Sequence, residues 1–232
     1  MQFIKKKETT PEEWEQWFTT GNGVRSFNYG ADYQNLPNIS QAKEFLLNEQ
    51  LNLCAYCQRE LTLETASIEH IIPKSHNLEL STNYFNLVAV CKETSIDPNT
   101  GRKCCEPERG NTLLPPIIYY QDAQVTEGGN HKYFNVSKNG WIFPKHDLKP
   151  DIKNQVQAFI EILNLNHSQL VSTRKEMLSG ILEPFAAIPL HQKKGFLEMK
   201  MRNLLRNTSE PFRQYLLIYI SKRVEKHHRY FC

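Results

Sequence analysis

The chain has 232 residues, of which 40% are apolar, 11% aromatic and 23% charged. This composition excludes a disordered chain, and the length allows one large domain or two small ones with a packed core. The formal net charge of +3 is unevenly distributed, because residues 193–232 carry ten Lys or Arg against three acidic residues. A basic segment of this kind indicates a polyanion or an acidic partner, although a solvated helix face has the same composition.

Neither secretion nor membrane insertion is predicted. The N-terminal segment lacks the apolar stretch of a signal peptide, and the longest apolar run near the end, residues 215–220, is far shorter than the ~20 residues that span a bilayer. We therefore expect a cytoplasmic protein that does not associate with membranes. In that compartment, its six cysteines are more often metal ligands or free thiols than disulfides.

The first fifty residues predict two short helices. Thr10 is the expected N-cap of the first helix, with Pro11 at its first position and Trp14 and Trp17 on its apolar face. After a loop that contains Gly and Pro, Ser40 is the expected cap of the second helix, which runs to about residue 51.

The rest of the chain changes from short strands to helices. Strands are predicted at residues 66–69 and 87–90, and a hairpin at residues 132–143 around a Ser-Lys-Asn-Gly turn. The spacing of apolar residues then becomes helical, which places a boundary near residues 145–150. Four helices are predicted, at about residues 151–163, 168–182 and 192–206 and after Pro211.

The cysteines indicate a metal site. Cys54 and Cys57 form a CxxC pair, whose two thiolates can bind one tetrahedral Zn²⁺ at ~2.3 Å. Cys91 and Cys105 are the expected second pair, with Cys104 as the alternative to Cys105, since adjacent cysteines do not both bind one ion without strain. Four thiolates leave no open coordination position, so this zinc would be structural. Buried free thiols and a redox-active CxxC are the alternatives, and the redox motif would require a βαβ context that the sequence does not indicate.

Further motifs surround these cysteines. Residues 68–75 read Ile-Glu-His-Ile-Ile-Pro-Lys-Ser, residues 83–87 read Asn-Tyr-Phe-Asn-Leu, and residues 105–111 read Cys-Glu-Pro-Glu-Arg-Gly-Asn. Residues 49–57 read Glu-Gln-Leu-Asn-Leu-Cys-Ala-Tyr-Cys. Together these segments resemble the HNH endonucleases of the ββα-metal fold, and more closely the PtuB family of Septu and retron anti-phage systems. The strong similarity covers residues 47–111, and the combination is specific although each motif alone is not.

The resemblance implies an α+β protein built around a zinc-stapled ββα-metal nuclease module. The predicted segments are an N-terminal helical segment, the nuclease module, a β-hairpin connection and a C-terminal helical region, at residues 1–50, 51–115, 116–150 and 151–232. Hydrolysis of a phosphodiester bond needs a base that activates water and a hard divalent cation, Mg²⁺ or Mn²⁺, at the scissile phosphate.

By this resemblance, His70 is the general base, since a neutral imidazole accepts a proton near neutral pH. Glu69 and Glu106 would hold the catalytic cation, and Asn86 would brace the loop that orients His70. Glu106 stands where the family often has Asn, His or Asp, and Glu108 is the alternative ligand. The plain alternatives are a buried core histidine, a strand acid and a helix N-terminal acid for His70, Glu69 and Glu106.

Two basic residues are expected to contact the substrate. Lys74 follows the His70 motif closely, with a solvent-exposed loop position as the plain alternative, and Arg109 stands where the family often has Lys. Either side chain could bind a backbone phosphate, and an arginine could do so through two hydrogen bonds.

The predicted function is metal-dependent cleavage of nucleic acid, with DNA favoured over RNA or tRNA. The resemblance implies the effector subunit of an anti-phage complex with an SMC/ABC-like ATPase, PtuA, and in some systems a retron reverse transcriptase with its RNA–DNA product. A zinc-stapled adaptor that binds nucleic acid or a partner without cutting is one alternative. A restriction-type HNH nuclease that acts alone is another.

Overall fold

The computed structural model describes residue 4 and residues 6–19, 38–115 and 132–229, without the side chains of residues 226–229. The first half of the predicted 116–150 connection lies outside these residues. Mixed helices and short strands confirm the predicted α+β fold class. The helices are α1 (Trp14–Trp17), α2 (Ile39–Glu49), α3 (Glu106–Arg109), α4 (Pro150–Ile162), α5 (Ser168–Ala187), α6 (Leu190–Arg206) and α7 (Arg213–Arg229). The strands are β1 (Ala66–His70), β2 (Leu87–Cys91), β3 (Phe134–Val136) and β4 (Ile142–Pro144).

Helices α1 and α2 pack over the region between the first two strands. Helix α1 is a single turn that begins at Trp14, four residues after the predicted cap at Thr10. The indole of Trp14 is fully buried, and its Nε1–H donates to the carbonyl oxygen of Thr82 at 2.8 Å. Its ring also contacts Tyr84 edge-on, with a centroid distance of 5.1 Å. Burial of this aromatic surface, more than capping, therefore holds α1 in place.

Strands β1 and β2 form an antiparallel pair in which Glu69 lies opposite Val88 and His70 lies opposite Leu87. Both strands begin where the sequence predicts and are one residue longer. Every residue of β2 is buried, whereas β1 is partly exposed at Ser67 and Ile68. Two short 3₁₀ helices, Leu78–Thr82 and Tyr84–Asn86, connect the strands, and α3 follows them in the chain. The result is a ββα unit.

Helix α2 is joined to the buried strand by one side chain at its end. The amide of Gln50 is buried, and its Nε2 donates to the carbonyl oxygen of Ala89 at 2.7 Å. Its Oε1 accepts from the backbone N–H of Ala89 at 2.7 Å. Gln50 thus pairs with the edge of β2 as another strand would, and satisfies a backbone donor that would otherwise be buried without a partner.

The C-terminal half contains the predicted hairpin and four helices. Helix α5 was predicted to end near residue 182, but this prediction is wrong, since the helix continues through Pro184 to Ala187. Proline removes one backbone hydrogen bond. The extra turn buries Phe185 against the ring of Phe196 in α6, with centroids 6.2 Å apart, and this packing favours continuation.

The helical half is attached directly to the cysteine-rich module. The N–H of Phe212 donates to the backbone oxygen of Gln58 at 3.2 Å, and the N–H of Gln214 donates to its Oε1 at 3.1 Å. Leu163, at the end of α4, accepts from the N–H of Cys105 at 2.9 Å. The buried side chains of both halves form one contiguous core. Among the described residues, no helix is long and apolar enough to cross a membrane.

Replacing Gln50 by Leu keeps the volume of the side chain and removes its amide. The N–H of Ala89 then loses the partner described above inside the core, so we expect the free energy of unfolding to fall by about 1–3 kcal/mol. Urea denaturation of the full chain measures the change. Gln192→Leu, at an exposed position in α6, is the control and should change the stability by less than about 0.5 kcal/mol.

Candidate active site and cysteine cluster

Four of the cysteines come together in the core. The Sγ atoms of Cys54, Cys57, Cys91 and Cys105 all lie within 4.8 Å of one another. The distance from Cys54 to Cys105 is 4.0 Å, and that from Cys57 to Cys91 is 3.6 Å. A tetrahedral zinc ion with Zn–S bonds of ~2.3 Å requires sulfur separations of about 3.8 Å. The donor set and its spacing therefore fit zinc.

The backbone at Cys105 explains which of the two adjacent cysteines joins this group. Cys105 has φ +61°, in the region that L side chains rarely adopt, and its N–H is bonded to Leu163. This turn directs the Cys105 side chain into the group. Cys104 is not part of the four-cysteine group. Its backbone N–H donates to the hydroxyl oxygen of Thr94 at 3.1 Å.

His70 is the last residue of β1, and its ring is largely buried. Its Nε2 lies 2.9 Å from the carbonyl oxygen of Ser81. Because a carbonyl oxygen only accepts, Nε2 carries the proton and Nδ1 carries the lone pair. Burial, together with the charges of Lys74 and Arg109, lowers the pKa of His70 to about 4. The imidazole is therefore neutral at physiological pH and has a basic nitrogen.

Asn86 fixes the backbone on both sides of this histidine. Its Oδ1 accepts from the N–H of Ile72 at 2.8 Å, and its Nδ2 donates to the carbonyl oxygens of Ile72 at 3.1 Å and Leu80 at 3.0 Å. The first contact holds the loop that leaves His70, and the last holds the turn that supplies Ser81. Asn86 therefore joins the two backbone segments that lie next to His70.

Glu69 precedes His70 and is bound by two side chains. The carboxylate forms a buried ion pair with Arg109 and accepts a hydrogen bond from the hydroxyl of Tyr56 at 3.2 Å. Both contacts reach Oε1. Burial raises the pKa of Glu69 to about 7, against the lowering effect of Arg109, and the nearby charge of Glu106 raises it further.

One cleft of about 550 Å³ brings together four of the predicted site residues, whereas Asn86 does not line it. Glu69, His70, Lys74 and Glu106 all line it. Burial raises the pKa of Glu106 as well. Glu108 is engaged elsewhere, through a 2.6 Å ion pair with Arg102 and a 2.8 Å hydrogen bond from the N–H of Lys103. Of the two candidate acids in α3, the structure therefore brings Glu106 to the cleft.

Comparisons with known proteins agree with this geometry. Residues 54–93 match the family model described as HNH endonuclease, and they contain β1, β2 and His70. The chain carries an HNH endonuclease domain. The matched segment contains three of the four clustered cysteines and also Glu69, His70 and Lys74 of the cleft, whereas Cys105 and Glu106 follow it.

Two relatives are similar to this chain over most of its length, and not only over the residues that match the HNH model. The chain is 25% identical over 178 residues to a protein of Vibrio cholerae assigned as the HNH endonuclease of retron Vc95, which covers 75% of this chain and 80% of that protein. It is 27% identical over 190 residues to an Escherichia coli protein assigned as the HNH endonuclease of retron Ec83, which covers 68% of this chain and 70% of that protein. The predicted assignment to the HNH endonucleases is confirmed.

Arg109 does not lie where the sequence predicts. It was predicted to contact substrate phosphate, but its side chain is fully buried. The guanidinium donates to the carbonyl oxygens of His70 at 2.8 Å, Ile71 at 2.7 Å and Thr112 at 2.9 Å, besides its contacts with Tyr56 and Glu69. We therefore correct its role: Arg109 is an internal cross-link, because its donors are used inside the protein.

Tyr56 is a site residue that the sequence does not predict. It occupies a variable position of the CxxC pair, and nothing in the spacing indicates that its hydroxyl reaches Glu69 and accepts from Arg109 at 2.7 Å. Ser81 was missed as well, since it acts through its backbone oxygen. A contact of this kind does not depend on the side chain and leaves no signal in the sequence.

The contributions of the two adjacent cysteines, Cys104 and Cys105, to zinc binding can be tested one at a time. Cys105→Ser removes a thiolate from the cluster, so the purified protein should contain well under one zinc ion per chain. Its free energy of unfolding should fall by at least about 3 kcal/mol, with a decrease in Tm of about 6–12 °C. Cys104→Ser is the matched control and should keep a full zinc ion. Elemental analysis and thermal denaturation measure both, and loss of zinc from the Cys104→Ser protein alone would contradict the assignment.

The cross-linking role of Arg109 predicts that lysine cannot replace it. Lysine keeps the positive charge but cannot reach all five partners, so buried carbonyl oxygens lose their donors. We expect Arg109→Lys to lower the free energy of unfolding by about 2–4 kcal/mol. Arg102→Lys, at a partly exposed ion pair, should cost less than about 1 kcal/mol. Chemical denaturation compares the two, and equal losses would argue against a special role for Arg109.

Proposed function

We propose that this protein is a metal-dependent endonuclease that hydrolyses phosphodiester bonds in the cleft of its HNH domain, with His70 as the general base. One observation carries the proposal. The ring of His70, with its tautomer set by Ser81, lies in the same cleft as the carboxylates of Glu69 and Glu106. A base and a pair of acidic oxygen ligands are what hydrolysis of a phosphodiester requires.

The two carboxylates fit a hard divalent cation such as Mg²⁺ or Mn²⁺. Burial raises the pKa of Glu69, and the nearby charge of Glu106 raises it further, so a bound cation would favour the ionised form of both carboxylates. The contacts of Arg109 and Tyr56 go to Oε1, which leaves Oε2 of Glu69 as the oxygen for a cation. When bound, the cation would neutralise charge on the scissile phosphate and stabilise the leaving oxygen.

The remaining steps belong to side chains of the cleft. Nδ1 of His70 accepts a proton from the attacking water, while the Nε2–H bond to Ser81 keeps the ring oriented as its charge changes. Asn86 maintains both segments that position this ring. Lys74, on the wall of the cleft, offers a positive charge to a phosphate oxygen of the substrate.

We also propose the biological setting. The two relatives are assigned to retrons, which supports a retron setting with a reverse transcriptase and its RNA–DNA product as partners. The role as effector of an anti-phage system with an SMC/ABC-like ATPase rests on the resemblance to the PtuB family. DNA is the favoured substrate, with RNA or tRNA as the alternative. Helices α6 and α7 carry the basic residues for a partner or polyanion, and α6 exposes Leu190, Met199 and Leu205. The zinc ion would be structural.

A cleavage assay tests the catalytic proposal directly. Wild type, His70→Ala and the control His191→Ala would be incubated with labelled DNA or RNA and Mg²⁺ or Mn²⁺, alone and with the product of the neighbouring gene. Loss of the base should reduce the cleavage rate by about 10²–10⁴-fold. His191 is exposed on α6, so its substitution should leave the rate unchanged.

Zinc content and metal dependence complete the test. All three proteins should contain the same amount of zinc, and cleavage should require added Mg²⁺ or Mn²⁺. Cleavage by His70→Ala at the rate of the wild type would overturn the assignment of the base. Activity without the ATPase would favour an enzyme that acts alone.

A further inference from the structure

The cleft of the HNH domain extends well beyond the catalytic residues. Its lining continues along β1 to Ala66 and reaches the first turns of α2 at Ser40 and Lys43. Lys92, directly after β2, lines the same end. The cleft therefore has two ends, one acidic at Glu69 and Glu106 and one basic at Lys43 and Lys92.

Both lysines are held at this basic end by backbone contacts. The Nζ of Lys43 donates to the carbonyl oxygens of Leu63 at 2.6 Å and Ala66 at 3.4 Å, which fixes it at the start of β1. The backbone N–H of Lys92 donates to the oxygen of Thr65 at 2.8 Å. Burial lowers the pKa of Lys43, and the positive charge of Lys92 lowers it further, while Glu64 opposes this effect. Two like charges on one cleft wall would be stabilised by an anion that contacts both.

The two ends of the cleft are far enough apart for more than one nucleotide. Ala66 and His70 are four residues apart on an extended strand, which corresponds to about 14 Å at ~3.4 Å per residue. Each strand of a nucleic-acid duplex carries one phosphate per ~3.4 Å of helix axis. A strand that lies in the cleft with its scissile phosphate at His70 would therefore have further phosphates to offer to the lysine pair.

We propose that Lys43 and Lys92 form a binding site for a backbone phosphate of the cleaved strand, so that α2 is one wall of the substrate cleft. The direction of the strand rests on the proposed function, whereas the phosphate site does not. The chemistry is that of the sugar–phosphate backbone, which DNA and RNA share. Lys92 lies within the segment that matches the HNH family model, whereas α2 and Lys43 lie before it, so the site joins that segment to an element outside it.

Binding without cleavage tests the site independently of catalysis. The His70→Ala protein would be titrated onto a fluorescein-labelled single-stranded 20-mer, as DNA and as RNA of the same sequence, from about 50 to 200 mM salt. In this background, Lys43→Ala plus Lys92→Ala should weaken binding about 10-fold or more at low salt. The slope of log K against log[salt] should fall by about 1–2.

Matched variants distinguish the loss of a specific phosphate site from a general loss of positive charge and from misfolding. Lys175→Ala plus Lys153→Ala removes two exposed lysines of α5 and α4 and should change the affinity by less than about 2-fold. Lys43→Arg plus Lys92→Arg should restore most of the binding. Zinc content and Tm of each protein identify variants that fail to fold. Lys92→Ala alone, which leaves the backbone contacts of Lys43 intact, should still weaken binding by about 3-fold.

Each outcome decides the proposal. If both probes bind and the cleft variants lose affinity, the site stands, and the relative losses for DNA and RNA show which backbone it prefers. If the lysine variants bind as the α4/α5 control does, or if neither probe binds the parent protein, the proposal is overturned. Loss of binding in the variants, together with a wild type that cleaves neither polymer, would reject the proposed nuclease function and retain the phosphate site.

Discussion

The buried guanidinium of Arg109 is the contact on which the HNH domain depends. It joins three segments that are distant in the sequence: the end of β1, the turn that contains Tyr56, and the short helix α3 itself. A four-residue helix has little stability of its own, because nucleating a helix is unfavourable and few hydrogen bonds repay it. The ion pair with Glu69 and the bonds to backbone oxygens supply what α3 lacks. The position of Glu106 in the cleft therefore depends on Arg109.

The cysteine cluster provides a second, complementary cross-link. It joins the CxxC turn, the end of β2 and the residue before α3, which are also the segments adjacent to the catalytic cleft. Four thiols within 4.8 Å of one another cannot all ionise without a cation, so a zinc ion would convert mutual repulsion into a closed coordination shell. Arg109 lies on the side of α3 toward β1, and the cluster lies at its start. Together they fix both the place and the direction of a helix that is too short to hold itself.

Much of this architecture could be predicted from the sequence, and the limits have physical causes. The strands, the hairpin and the C-terminal helices follow from apolar spacing, and the motif around His70 identified the domain. The contacts of Gln50, Tyr56 and Arg109 could not be predicted, because they depend on side chains that meet across 39 to 53 positions of sequence. The end of α5 depends on packing of Phe185 rather than on Pro184. The choice of Cys105 depends on a backbone angle that no spacing rule contains.

The attachment of α7 to the CxxC turn has a consequence for how the chain is made. The bond between Gln214 and Gln58 joins residues 156 positions apart, so the turn is synthesised long before its partner. Domains fold as units during synthesis, and contacts of high sequence separation form last. On the ribosome, the cysteine turn is therefore exposed on one side until α7 emerges. The core around this turn reaches its complete packing only after α7 has been synthesised.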